Sequence, residues 1–101
     1  MESVYVHAIG KSVVIHANAD ELDAIRKVLT PERIRIISMI RERRPGSIYE
    51  LAKMLGRNRS SVMRDLKHLS SFGLVEFDTS GKRNRKRPVV NYSEINIVIP
   101  V

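Results

Sequence analysis

Apolar residues alternate with polar or small ones through "SVYVHAIGKSVVIHA". This period of two, rich in β-branched side chains, predicts two short strands. Gly10-Lys11 stands between them as the Gly-X pair of a two-residue hairpin. Pairing in that register sets Val4, Val6, Ala8, Val13 and Ile15 on one face and Tyr5, His7, Ile9, Val14 and His16 on the other. The second face is too apolar to be left wholly in water, so it is expected to meet another segment or another subunit.

The period then lengthens to that of a helix. "NADELDAIRKVLT" opens on acids and spaces Leu22, Ile25, Val28 and Leu29 as a short amphipathic helix. "TPERIRIISMIRERRPG" predicts a second one, with Thr30 as N-cap, Pro31 at the first helical position and Ile34, Ile37 and Ile40 as the buried stripe. Pro45-Gly46 stops it, and Arg41, Arg43 and Arg44 complement the carbonyl end of its dipole. In "SIYELAKMLG" Ser47 and Glu50 form a capping box, Ile48, Leu51, Ala52 and Leu55 make the apolar stripe, and Gly56 supplies the exit. Asn58 then caps a fourth helix that runs through "RSSVMRDLKHLSSF" to Gly73 and buries Val62, Leu66 and Leu69. Opposite that stripe stand Ser60, Arg64, Lys67 and Ser71, with Ser61 and His68 beside them, while Asp65, the helix's only acid, projects from the flank. Alternation returns in "LVEFD" and "PVVNY", which bracket the loop "TSGKRNRKRP", and in the closing "EINIVIPV".

At 101 residues and 43% hydrophobic content the chain suits one α+β domain, and no apolar run approaches the roughly eighteen residues a membrane span needs. The N-terminus lacks the features of an export signal, so a cytoplasmic location is expected. Zero cysteines exclude disulfides, thiolate metal sites and a cysteine nucleophile. No nucleophile-elbow, Walker or H-E-x-x-H pattern is present, and His7 and His16 alone do not close a zinc site. A non-enzyme without cofactor or metal is therefore expected.

Charge sharpens the picture. The chain carries a net +7, and residues 57 to 87 hold nine Lys or Arg against three acids, so nearly all of the excess lies in one third of the sequence. Such asymmetry points to a polyanion, either nucleic acid or an anionic membrane surface. Two short helices joined by a tight glycine-containing turn, the second with a small, polar and basic outer face, make a helix-turn-helix unit. A major groove about 12 Å wide admits one helix, and short or fork-shaped side chains such as Ser60, Ser61 and Arg64 fit between it and the base edges. Arg64 suits a bidentate contact to guanine, Arg57, Arg59 and Lys67 suit phosphates, and Asn58 suits the cap and the backbone. Lys82, Arg83, Arg85, Lys86 and Arg87, on a loop held between strands, are placed to reach the minor groove or straddle phosphates. A double-stranded DNA partner is expected.

"SIYELAKMLGRNRSSVMRDLKHLSSFGLVE" resembles the winged helix-turn-helix regulators of the MarR and ArsR kind, over about residues 30 to 92. "VLTPERIRII" and "NYSEINIVIP" are similar to a group of short, mostly archaeal, predicted DNA-binding proteins, some of which act as antitoxins. The resemblance implies a winged helix-turn-helix with an N-terminal β-hairpin (1–17), a helical region and first wing strand (18–78), a basic wing loop (79–88) and C-terminal strands (89–101). It also implies a homodimeric transcription regulator whose helix 59–71 reads the operator. The chain departs from the MarR pattern in lacking long flanking helices for dimerisation and an obvious ligand pocket. The rival reading is a winged helix that binds a protein partner, such as a toxin or a polymerase component, along the apolar "INIVIPV" strand. RNA binding ranks third, because no aromatic stacking platform supports it.

Overall fold

The computed structural model describes residues 4–80 and 86–101. Within them the chain runs β1 (Tyr5–Ile9), β2 (Ser12–His16), α1 (Leu22–Val28), α2 (Pro31–Arg43), α3 (Ile48–Leu55), α4 (Arg59–Ser71), β3 (Glu76–Asp78), β4 (Arg87–Val89) and β5 (Glu94–Val98). The architecture is α+β. One sheet is mixed, in the order β1-β2-β5, with β1 antiparallel and β5 parallel to β2; the other is the antiparallel pair β3-β4.

The opening hairpin has the expected register. Val6 lies opposite Ile15, Ala8 opposite Val13 and Tyr5 opposite His16. Gly10, at φ +58°, takes the left-handed step that the first position of the two-residue turn demands. The central strand buries Val13, Val14 and Ile15. The closing strand forms where its alternation predicts, but its partner was not legible from the sequence; it lies parallel to β2 with Ser12 facing Glu94 and Ile15 facing Ile97. The Ser12 hydroxyl donates to Glu94 Oε2 at 2.7 Å, and this bond, with one from Asn96, holds the Glu94 carboxyl below its ordinary range.

The helix ends follow local chemistry. Asn18 and Glu21 cap one another ahead of α1, each side chain accepting from the other's backbone N–H at 2.9 and 2.8 Å. Thr30, Ser47 and Asn58 cap α2, α3 and α4 by accepting from the N–H three residues on. The capping box of α3 differs from expectation in its second half, since the Glu50 carboxylate accepts from Gly46 rather than from Ser47. At the end of α4, Gly73 is left-handed, its N–H donates to Ser70 and that of Leu74 donates to Leu69, which is a Schellman closure. That closure consumes Leu74, so β3 begins at Glu76 and not at Leu74. β4 likewise spans Arg87–Val89 only, while Val90 and Tyr92 turn into the core.

One stripe is rotated. Along α2 the buried residues are Ile36, Ile37 and Ile40, and Ile34 is 46% exposed. Arg33 is the reason: it turns inward, and residues 33, 36, 37 and 40 share one helical face, which leaves Ile34 about 100° away. The core then joins Ile36 and Ile40 with Leu51 of α3, Val62, Leu66 and Leu69 of α4, and Ile15 of β2. Tyr92 closes it, its hydroxyl donating to the Leu74 carbonyl at 2.8 Å, and burial pushes that phenol up to about 12. No helix among the described residues is long and apolar enough to cross a membrane.

Candidate nucleic-acid interface

α4 is amphipathic in the expected sense. Val62, Leu66 and Leu69 have no more than 1% exposure, while Arg59, Ser60, Arg64, Lys67, His68 and Ser71 are exposed. Asn58 is exposed too, its Oδ1 accepting from the Ser61 N–H at 3.0 Å, which leaves its amide NH2 free of that bond. The outward face therefore presents three cations, Arg59, Arg64 and Lys67, among short hydroxyls. Arrangement of this kind complements a phosphate-flanked groove in both size and charge.

Arg57 and Ser61 sit differently. Arg57, expected at a phosphate, is turned inward: its Nη2 lies 2.9 Å from Asp65 Oδ2 and also donates to the Ser61 hydroxyl, and its Nη1 lies 3.6 Å from Glu32. That Nη1 is buried and makes no hydrogen bond. Ser61 is half-buried by the same contact. Arg33 reaches Asp65 from α2 at 3.0 Å and donates to the Lys27 and Val28 carbonyls, the open end of α1, at 2.9 and 3.2 Å. Arg33 thereby ties α1, α2 and α4 together.

The Asp65 side chain is only 14% exposed. Partial burial pushes its carboxyl upward, but the hydrogen bonds and charges of Arg33 and Arg57 outweigh it, and the net shift is downward. Asp65 thus stays ionised yet locally neutralised, and it contributes no free negative charge to the outer face of α4. The sequence offered no signal for this network, because Arg33 and Asp65 are 32 residues apart.

The basic loop is fastened at its mouth. Asp78 accepts from the Ser80 hydroxyl and N–H at 2.7 and 2.9 Å and from Arg87 Nη2 at 2.8 Å, which holds its carboxyl well below the usual carboxylate range. Arg87 is therefore ion-paired at the base, and Lys86 Nζ stands 5.7 Å from the centre of the Phe77 ring. Lys82, Arg83 and Arg85 lie outside the described residues. The loop's first strand follows α4 after only four residues, 72 to 75.

Two further features lie apart from the outer face of α4. A cleft of about 350 Å³ separates the β1-β2 hairpin from the end of α4 and the β3-β4 pair, lined by Val6, His7, Phe72, Glu76, Val89 and Tyr92 among others. His7 and His16 bring their Nε2 atoms to 2.8 Å on the outer face of β1-β2, with the Tyr5 ring 5.0 Å from His7. One imidazole donates to the other. Among the described residues no group of three or more His, Cys, Asp or Glu side chains is placed to hold a metal ion.

A family model described as HVO_A0114 matches residues 28–97, from the last residue of α1 through most of β5. The match spans α2, α3, α4 and the β3-β4 pair, and it leaves out the β1-β2 hairpin. No curated protein matches the chain.

Proposed function

The chain belongs to the HVO_A0114 family, and on the geometry of α3, α4 and the β3-β4 pair, with the charge of the sequence between those strands, we propose that it is a winged helix-turn-helix protein that binds double-stranded DNA and regulates transcription. The observation that carries this reading is the outer face of α4, where Arg59, Ser60, Arg64 and Lys67 are exposed with no uncompensated acid among them. In this reading α4 lies in the major groove. Arg64 makes a bidentate contact to guanine, Ser60 approaches a base edge, and Arg59 and Lys67 take phosphates on either side. Asn58 caps the helix and offers its amide to the backbone.

Ser61 and Arg57 take a supporting part. Arg57 is engaged by Asp65 and Glu32, so it positions the start of α4 through Ser61 and contributes to binding through that placement. The positive charge of Lys82, Arg83, Arg85 and Lys86 adds affinity that is largely independent of sequence, and Arg87 supports it from the base of the loop through its ion pair with Asp78. A two-fold pair of chains reads a pseudo-palindrome with half-sites about one helical turn apart.

Selection of bound fragments from random duplexes, followed by sequencing, tests the proposal. Enrichment of a short two-fold repeat is expected, and recovery of an unenriched pool would refute sequence-specific binding. The alternative of a protein partner, such as a toxin or a component of the transcription machinery, draws on the exposed apolar sheet. It would be favoured by a protein that ignores DNA altogether.

A further inference from the structure

We propose that a second copy of this chain docks edge to edge on β5, the two strands pairing antiparallel about a two-fold axis at Ile97 to make one six-stranded sheet. This deepens the two-fold pair of the DNA reading by naming the contact that makes it, and it is argued without any DNA contact. Among the described residues β5 is hydrogen-bonded to β2 on one side only, as the last strand in the order β1-β2-β5. The Ala17 N–H donates to the Val98 carbonyl at 3.1 Å, so Val98 turns its peptide groups toward β2. Backbone direction alternates along a strand, and the N–H and C=O groups of Ile95, Ile97 and Ile99 therefore point to the open edge. These are ladder groups without a ladder.

Three properties select a copy of the same chain as the occupant. First, the usual protection of an edge is missing. Residues 95 to 101 include no charged side chain, and Ile97, Val98 and Ile99 are 43%, 42% and 37% exposed. Six of the eight large apolar side chains exposed among the described residues, including Tyr5 and Ile9, belong to this sheet or the segment just after it, so the apolar surface is concentrated here. Second, the charge lies elsewhere. Residues 88 to 101 carry Glu94 alone, and two chains of net +7 can approach at β5 while their basic thirds stay apart. Third, the edge is self-complementary. With the axis at Ile97, Ile95 of each copy opposes Ile99 of the other, and the two copies of Ile97 exchange both of their hydrogen bonds. Pro100, which has no N–H, falls just outside the paired stretch.

A five-residue edge is small beside the roughly 800 Å² per partner of a standard interface, so the pair is expected to be reversible. The mass in sedimentation should climb from 11.5 kDa toward twice that value as concentration rises. Ile97→Lys, which sets like charges against one another at the axis, should remain monomeric with an unchanged circular dichroism spectrum.

The absence of cysteine permits a cleaner test. Across a hydrogen-bonded antiparallel pair the Cα atoms are about 5.5 Å apart, inside the roughly 4.4 to 6.8 Å that a disulfide spans. Ile97→Cys should therefore give a covalent dimer on mild oxidation. Ile95→Cys, which faces position 99 of the other copy, should not. Cross-linking that is equal at both positions, a wild-type chain that stays monomeric at every concentration, or a folded Ile97→Lys that still dimerises would each overturn the proposal. Should Ile97→Lys fail to fold, the two cysteine variants decide alone. No DNA enters any of these measurements, so their failure would remove this pairing while DNA binding itself stands or falls by its own test.

Discussion

Replacing Asp65 by Ala removes the acid on which two arginines converge, and the expected loss can be worked from its surroundings. The carboxylate accepts from Arg33 at 3.0 Å and from Arg57 at 2.9 Å, with the Asp65 and Arg33 side chains 14% exposed and that of Arg57 25%. Hydrogen bonds to charged groups are worth about 1.5 to 3 kcal/mol, and removal of one partner leaves two guanidiniums half out of water. Arg57 keeps Glu32 at 3.6 Å and Arg33 keeps the α1 carbonyls, which limits the damage. A net cost of about 2 to 4 kcal/mol follows, or a fall in Tm of about 10 to 25 °C for a domain of this size. Thermal melts by circular dichroism and urea titration of Asp65→Ala would read it.

The pH dependence has a definite sign. Because the folded carboxyl titrates below its ordinary value, its contribution is fully present above pH about 3.8 and is lost as pH falls through the folded pKa. The gap in stability between wild type and Asp65→Ala should thus be constant near neutrality and close in acid. A gap below about 0.5 kcal/mol at pH 7 would mean that the network behaves as an ordinary surface cluster, and the account of how α4 is positioned would fail.

Other consequences are narrower. Arg64→Ala should leave stability nearly unchanged, because the side chain is exposed, but should cost about 1 to 3 kcal/mol of discrimination at one base position per half-site. Neutralising Arg83 or Arg85 should instead weaken all sequences alike, as competition between operator and random duplexes would report. Gly56→Ala should destabilise by about 1 kcal/mol in a urea titration; an added Cβ would meet nothing within 4 Å, so the cost arises from φ +66° alone. Tyr92→Phe leaves the Leu74 carbonyl without its donor and should cost about 1 to 2 kcal/mol. With the phenol raised to about 12, the Tyr92 contribution is complete below pH 10 and lost as pH rises toward 12, so the variant should show a flatter alkaline decline.

What the sequence disclosed follows the range of the forces involved. Thr30, Ser47, Gly56 and Asn58 act within four residues of themselves, and α2, α3 and α4 begin or end where those residues placed them. The exposed side of α4 was legible for the same reason, since Val62, Leu66 and Leu69 fix its inner stripe by spacing alone. Contacts between distant segments were not. The rotation that buries Ile36 in place of Ile34 depends on Arg33 meeting Asp65, and Arg57 is drawn from the surface by that same acid and Glu32. Nor does alternation in "EINIVIPV" reveal that β5 lies parallel to β2, with Ser12 and Glu94 82 residues apart.

Fluorescence anisotropy of the wild-type chain on a mixed-sequence duplex, titrated at several salt concentrations, puts the proposed DNA contact to the simplest trial. If α4 and the basic loop engage about six to ten phosphates per pair of chains, affinity should fall by roughly 10³ to 10⁵ between 50 and 200 mM salt. Binding that is absent at 50 mM, or that does not change with salt, would contradict the DNA reading.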